Sequence, residues 1–281
     1  MSLLKVENLS VVDLRNGERI LHNLNFSLEP NSCLAIVGES GSGKSMTCKA
    51  ILNLTNPWLE VTGTVFLHGK EIKKNDFGVM RKIRGKNISM ILQDAMTAFD
   101  PLYTIGYQIE ETLCENLKVS KKDAKAMGIE AMNKMSIYDA KDVLKKYPHQ
   151  LSGGMLQRCM IAIAMAMKPD IIIADEPTTA LDSINQRDVV EQFERLQRIT
   201  STAILFISHD LGVVQRLAQK VLVMKGGACV EYGNANQIFR EPKNDYTRYL
   251  VETRIALSQP FHKIMNREEV EVIDVKSAGC I

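Results

Sequence analysis

The residues Gly38-Glu39-Ser40-Gly41-Ser42-Gly43-Lys44-Ser45 complete a G-x-x-x-x-G-K-[ST] pattern, and their flanks constrain the fold more than any other stretch of the chain. A continuous apolar run, Cys33-Leu34-Ala35-Ile36-Val37, ends at the first glycine; helix character begins at Lys44 and extends to Leu54. A strand that feeds a glycine-rich turn and then a helix brings backbone N–H groups and the positive end of a helix dipole to one point, which suits phosphate oxygens. In this reading Gly38, Gly41 and Gly43 let the backbone wrap closely, while Glu39, Ser40 and Ser42 add loop N–H groups. Lys44 reaches the β- and γ-phosphates of a nucleoside triphosphate, and the Ser45 hydroxyl is offered to Mg²⁺. A ligand-free Gly/Ser turn is the competing reading, and the strand before it and the helix after it argue against that.

Further apolar runs supply neighbours for that strand. Ile171-Ile172-Ile173-Ala174 and Ala203 to Ile207 are short and unbroken, as expected of strands covered on both faces of a parallel sheet. Ile88 to Leu92 reads as another strand. Ser152 to Met167 is a helix apolar almost all round, and 183–199 is amphipathic through Ile184, Val189, Val190, Phe193, Leu196 and Ile199. Strand and helix alternating in this order predict an α/β core with a parallel sheet. Residues 3–12 and 20–29, around the turn Arg15-Asn16-Gly17-Glu18, and Thr62 to Leu67 predict strands of an antiparallel β subdomain. Residues 221–231 predict a hairpin turning at Lys225-Gly226-Gly227. The mostly helical stretch 100–147 predicts a helical lobe inserted at about 94–160. Residues 1–250 then form one nucleotide-binding domain, and 251–281 a C-terminal extension. Within the extension, the alternation Val270-Glu271-Val272-Ile273-Asp274-Val275 reads as tail, with an edge strand or a partner-binding segment as the alternative.

Two carboxylates, Asp175 and Glu176, end the strand that starts at Ile171, on the sheet edge where open α/β folds bind ligands. Asp175 suits Mg²⁺, directly or through water; Glu176 suits the general base or water-orienting role. Their neighbourhood with the phosphate loop favours chemistry over a pair of surface acids. His209 follows the strand Ala203 to Ile207 on the same edge and is expected to contact the γ-phosphate. Gln93 follows the strand at Ile88 and precedes the helical stretch, which suits contact with Mg²⁺ or the attacking water and a hinge between the two parts.

Leu151-Ser152-Gly153-Gly154-Met155-Leu156-Gln157-Arg158 resembles the LSGGQ-type signature of ABC transporter ATPases, whose core is a RecA-like P-loop NTPase fold. The resemblance covers about residues 3–250, with the phosphate loop, Gln93, the signature, Asp175-Glu176, Asp182 and His209 in the family's order. It implies ATP and Mg²⁺ as ligands. It also implies a head-to-tail pair of ATPase subunits, in which Ser152, Gly153 and Gly154 of one bind the γ-phosphate held by the other. Ala180-Leu181-Asp182 resembles the loop that crosses that interface. One departure is expected to matter: the family places an adenine-stacking aromatic residue at a slot that falls near Asp13, and no aromatic residue precedes Phe26.

Gln93-Asp94-Ala95-Met96-Thr97-Ala98-Phe99-Asp100-Pro101, Thr104-Ile105-Gly106 and the segment Pro242 to Leu250 resemble the peptide and nickel importer branch. Met155-Leu156 and Ser45-Met46-Thr47-Cys48 look more like nickel-import ATPases, and only Cys280 stands where peptide importers carry a late cysteine cluster. The resemblance implies import of nickel or a chelated transition metal, with di- or oligopeptides as the alternative. It implies two transmembrane permeases, an extracytoplasmic substrate-binding protein and a second ATPase subunit, a different chain, at the cytoplasmic face of the membrane. No run of 18 apolar residues is present, so spanning must come from partners. A net charge of +2 without a basic stripe argues against nucleic acid. A DNA- or ribosome-directed ATPase of the same family is the remaining alternative; no long heptad insertion and no second motif set favours it. The six cysteines form no CxxC pair and read as reduced thiols.

Overall fold

The computed structural model describes residues 2–73, 76–179, 183–199 and 202–253. The phosphate-loop strand, β3 (Cys33–Val37), lies in the middle of a parallel set. It pairs with β8 (Ala203–Ile207) on one side and β9 (Lys220–Lys225) on the other; β7 (Ile171–Asp175) follows β8, and β6 (Ile88–Ile91) follows β7. Every residue of β3, β7 and β8 is buried. The reason for their unbroken apolar runs is visible in where alternate side chains go. Cys33, Ala35, Val37, Ile172, Ala174, Ile204 and Phe206 enter one apolar cluster; Leu34, Ile36, Ile171, Ile173, Leu205 and Ile207 enter the other. A strand with a core on each face can spare no polar position.

The antiparallel part is β1 (Leu4–Asp13) between β2 (Glu18–Leu28) and β4 (Leu59–Leu67), with the short β5 (Lys70–Glu71) outside β4. In β2, Leu21, Leu24, Phe26 and Leu28 are buried, and the step of three between the first two marks an irregularity. Asn23 takes a left-handed φ of 45° there, and its N–H and side chain are tied to the Ser10 hydroxyl, both at 2.9 Å. β9 turns at Gly226-Gly227, with φ of 54° and 78°, into the antiparallel β10 (Ala228–Asn234). A bridge between Ala228 and His22 joins both parts, so that among the described residues one ten-stranded sheet runs β5-β4-β1-β2-β10-β9-β3-β8-β7-β6.

Helices cover both faces. α1 (Lys44–Ile51) follows the phosphate loop. α2 (Phe77–Ile83) was not foreseen in the sequence; Arg84, just after it, donates to the carbonyls of Leu52 and Asn53 at 2.7–2.9 Å, satisfying acceptors at the end of α1. Between β6 and β7 come α3 (Ile105–Leu117), α4 (Lys121–Lys134), α5 (Ala140–Val143) and α6 (Gly153–Ala166), which makes the inserted helical lobe. α7 (Ser183–Ile199) packs Val189, Val190, Phe193 and Leu196 inward, and Phe193 meets Phe206 of β8 edge-to-face at 5.6 Å. Such a pair adds about 1 kcal/mol to the burial of the two rings. α8 (Leu211–Leu217), α9 (Ala235–Arg240) and a helical stretch 245–253 complete the described chain. Cys33, Cys48, Cys114, Cys159 and Cys229 are free, as expected; Cys280 and the alternation at Val270 to Val275 lie outside the described residues.

Candidate active site

A cleft of about 440 Å³ opens over the phosphate loop, lined by Ser40, Gly41, Gly43, Lys44 and Ser45 and by Gln93, Glu176 and His209, with Ile20 and Met46 as its aliphatic side chains. The loop's shape needs its glycines. A Cβ at Gly38, where φ is 150°, would run into the carbonyl oxygen of Met224 on β9, and Gly43 sits at φ 97° against Leu21. Lys44 is buried, and its ammonium donates to the carbonyls of Gly38 and Glu39, both at 2.9 Å. The Ser42 hydroxyl oxygen is buried and has no hydrogen-bond partner among the described residues.

The N-terminus of α1 fits an anionic ligand. Gly43 supplies no side-chain cap, and no acidic residue occupies the first turn. Thr104, Ser120, Ser152, Asp210 and Asn234, by contrast, each cap their own helix through the side chain. First-turn N–H groups that no side chain satisfies, beside a buried lysine, are what a phosphate requires.

The ends of β6, β7 and β8 bring the other predicted residues to this cleft. The Ser45 hydroxyl donates to Asp175 Oδ1 at 2.9 Å, so two hard oxygen donors meet where Mg²⁺ is expected. Burial pushes the Asp175 carboxyl above its ordinary value, the Ser45 hydrogen bond opposes that, and the Glu176 charge adds to it. A cation there would relieve the cost of ionising it. Consecutive strand residues should point to opposite faces, yet Asp175 meets Ser45 of the loop while Glu176 lines the cleft beside that serine. The chain achieves this by placing Glu176 at a left-handed φ of 47° while its N–H still bonds to Ile207 of β8 at 3.0 Å. A non-glycine residue held there stores backbone strain of about 1 kcal/mol or more, of a kind found at functional sites. Glu176 Oε2 collects three neighbours: Gln93 Nε2 at 3.3 Å, the Thr179 hydroxyl at 3.0 Å and His209 Nδ1 at 3.2 Å. The His209 hydrogen bond, against the opposing effect of burial, holds the Glu176 carboxyl below the usual carboxylate range.

Ser152, Gly153 and Gly154 open α6 as expected but do not line this cleft. Ser152 and Gly153 are exposed; the Ser152 oxygen accepts from Met155 N–H at 3.2 Å, which leaves its O–H able to donate outward. Asp182 lies outside the described residues. At the slot predicted to lack an aromatic residue, Asp13 is buried and held by Arg15 at 2.6–3.2 Å, whose hydrogen bonds keep its carboxyl near a pKa of about 2. Arg15 in turn lies 4.8 Å over the Trp58 ring. Ile20, Met46, Thr179 and Tyr246, whose hydroxyl reaches the loop at Glu39, were not assigned to this site from the sequence. Thr179 could have been suspected, standing three residues after Glu176; nothing near Tyr246 points to the loop.

A family model described as ABC transporter matches residues 21–179, more than half of the chain, spanning the phosphate loop, Gln93, the signature and both acids. The chain belongs to the ABC transporter ATPase family. It is similar over 265 residues, at 42% identity, to the metal-staphylopine import system ATP-binding protein CntD of Staphylococcus aureus, covering 94% of this chain and 98% of that one. It is 44% identical over 268 residues to the dipeptide transport ATP-binding protein DppD of Lactococcus lactis subsp. cremoris, covering 94% and 77%. The glutathione import ATP-binding protein GsiA of Escherichia coli is 40% identical, over 89% of this chain and 42% of its own longer one. Among solved structures, the dimeric ABC cassette MJ0796 with ADP and Pi superposes with a TM-score of 0.74 at 26% identity, covering 83% of this chain and 98% of that one. These similarities make the chain an ATPase subunit of an ABC importer, in the peptide/nickel branch. Among the described residues no helix is long and apolar enough to cross a membrane.

Proposed function

We propose that this subunit hydrolyses ATP, in a head-to-tail pair of ATPase subunits, to drive uptake of nickel or another transition metal in chelated form. The observation that carries the ATPase reading is the convergence on one cleft of an uncapped α1 N-terminus, buried Lys44, the Ser45–Asp175 bond and a Glu176 tied to Gln93 and His209. Residues 1–250, with the helices of about 94–160 as a lobe, act as the nucleotide-binding domain, and 251–281 as an extension.

In this mechanism Gly38 to Lys44 cradle the phosphates through backbone N–H groups, and the Lys44 ammonium balances their charge. Ser45, Asp175 and Gln93 would hold Mg²⁺, which would supply positive charge to offset that of the phosphates. Glu176, whose carboxylate form is favoured by its hydrogen bonds to His209 and Thr179, accepts a hydrogen bond from the attacking water and orients its oxygen toward the γ-phosphorus. His209 fixes the Glu176 rotamer and stands beside the γ-phosphate position. Ser152 and Gly153, both exposed, and the half-buried Gly154 serve the nucleotide of the opposite subunit, with Asp182 at the crossing; the paired cassettes of MJ0796 support that arrangement.

Closing of the pair then moves the helical lobe, and the permeases follow. Their contact is expected near Gln93 to Ile105. A groove of about 290 Å³ there, reached by Phe99, Gln108, Arg84 and Met160, supports this, as do the exposed Met96, Leu102 and Tyr103. The subunit would thus sit peripherally at the cytoplasmic face, with two permeases, a second ATPase and an extracytoplasmic binding protein.

The name of the CntD relative supports a chelated metal as cargo; the names of DppD and GsiA support the second reading, a di- or oligopeptide. Cells deleted for this subunit should lose uptake of chelated nickel and keep uptake of dipeptides. Loss of dipeptide uptake with metal uptake intact would reverse the order of the two readings.

A further inference from the structure

The C-terminal segment reaches the phosphate loop. The Tyr246 hydroxyl accepts the backbone N–H of Glu39 at 3.1 Å, across 207 positions of sequence. Glu39 is the second residue of the loop, and its carbonyl is one of the two that hold the Lys44 ammonium. The Ser42 N–H donates to that carbonyl as well, at 3.2 Å. The peptide groups of Glu39 therefore carry the lysine and a loop N–H on one side and the tyrosine on the other.

Tyr246 is itself firmly placed. Its N–H donates to Asn244 Oδ1 at 2.9 Å, and the Glu231 carboxylate of β10 accepts the N–H groups of Lys243 and Asn244 at 3.0 and 3.1 Å. Lys225, at the end of β9, holds its ammonium 4.6 Å over the Tyr246 ring. The preceding residue, Met224, has its carbonyl against Gly38. One hairpin thus supports the loop from two sides, directly through Met224 and indirectly through the tyrosine. A loop N–H at the surface could bond to water at little cost. A fixed hydroxyl instead removes a degree of freedom from the peptide on which Lys44 rests, and pre-organisation of that kind raises affinity without touching the ligand.

We propose that Tyr246 is a positioning residue for nucleotide binding: through its hydroxyl the segment 242–253 holds the Glu39 peptide, and with it Lys44, in the conformation that receives the phosphates. This rests on the reading of the cleft as an ATP site. It makes the C-terminal segment part of that site rather than an appendage to it.

The test uses the full-length chain and the variant Tyr246→Phe, which keeps the ring over Lys225 and removes only the hydroxyl. Titration with a fluorescent ATP analogue in the presence of Mg²⁺ should give a Kd about five-fold higher than that of the unaltered chain, the effect of one hydrogen bond. The unfolding midpoint without nucleotide should stay unchanged. Tyr246→Ala should raise the Kd at least as much and also lower that midpoint. Lys44→Ala, measured alongside, separates the two claims. If Lys44→Ala loses affinity while Tyr246→Phe binds like the unaltered chain, the positioning role is overturned and the ATP site stands. A Kd change in Tyr246→Phe matched by an equal loss of nucleotide-free stability also overturns it, since the hydroxyl would then support the fold alone. Unchanged affinity in Lys44→Ala would overturn both.

Discussion

The N-termini of α1 and α6 present the same kind of group, a first turn of backbone N–H donors behind glycines, in opposite surroundings. At α1 no side chain caps the helix, Lys44 is buried beside it, and Gln93, Glu176 and His209 share the cleft. At α6 Ser152 caps its own helix, Ser152 and Gly153 stand exposed, and a side chain added at Gly153 would meet nothing within 4 Å. The first is a phosphate site furnished on its own chain. The second is a donor surface that, among the described residues, does not line that cleft. The difference is what the proposed pairing of two ATPase subunits requires, with α6 finished by the opposite one, and each variant below either breaks that asymmetry or sharpens it.

The largest effect should come from Glu176→Gln. In the assembled transporter it should lower turnover by about 10²- to 10⁴-fold, the range of a lost general base, while nucleotide affinity of the isolated chain is kept. Turnover at the unaltered rate would remove Glu176 from the mechanism. Next, Lys44→Ala should weaken binding of ATP to the isolated chain by roughly 10- to 100-fold, as expected for a lost charge-assisted contact. Equilibrium titration reads this directly.

His209→Ala should act on pH dependence. The His209 hydrogen bond is the largest cause of the lowered Glu176 pKa. A carboxyl depressed on folding contributes stability that is fully present above its unfolded pKa and lost as pH falls through its folded value. Removing the histidine raises the folded value, so the acid limb of the turnover profile should move to higher pH, and part of the stability above the unfolded pKa should disappear. A pH–rate series on the assembled transporter, with unfolding midpoints on the isolated chain, checks both. An acid limb that does not move would separate His209 from Glu176. The smallest effect belongs to Ser152→Ala, which should destabilise the isolated chain by about 1 kcal/mol through loss of the α6 cap and leave its ATP affinity untouched. Chemical denaturation and the same titration suffice.

The sheet core was legible because burial on both faces of β3, β7 and β8 forces unbroken apolar runs, and because the loop between β3 and α1 has a spacing that phosphate geometry dictates. The bulge at Asn23 was not, since it resets the alternation of β2 without changing which residues are apolar. α2 was missed because its seven residues are too few for apolar spacing to settle a helix; what fixes this region is Arg84 on the carbonyls of Leu52 and Asn53. In the site, residue types and order were readable, as was a turn at the strand's end that lets both acids act together, whereas the backbone conformation that makes the turn was not. Nothing about a glutamate announces a left-handed φ, yet Glu176 holds one where it lines the cleft beside Ser45, the partner of Asp175. The absence of an early aromatic residue was visible, and the Asp13–Arg15–Trp58 arrangement in its place was not. Tyr246 illustrates the general reason: its partner is 207 residues away, and only the fold brings the two together.

The asymmetry between α1 and α6 is tested most directly by Gly153→Asp, which puts a carboxylate at the α6 N-terminus where space allows it and the fold should tolerate it. ATP affinity of the isolated chain should be unchanged, because its own phosphates lie at α1, while turnover in the assembled transporter should collapse as the new charge meets the nucleotide of the opposite subunit. Weakened binding in the isolated chain, or undiminished turnover in the assembled transporter, would contradict the account.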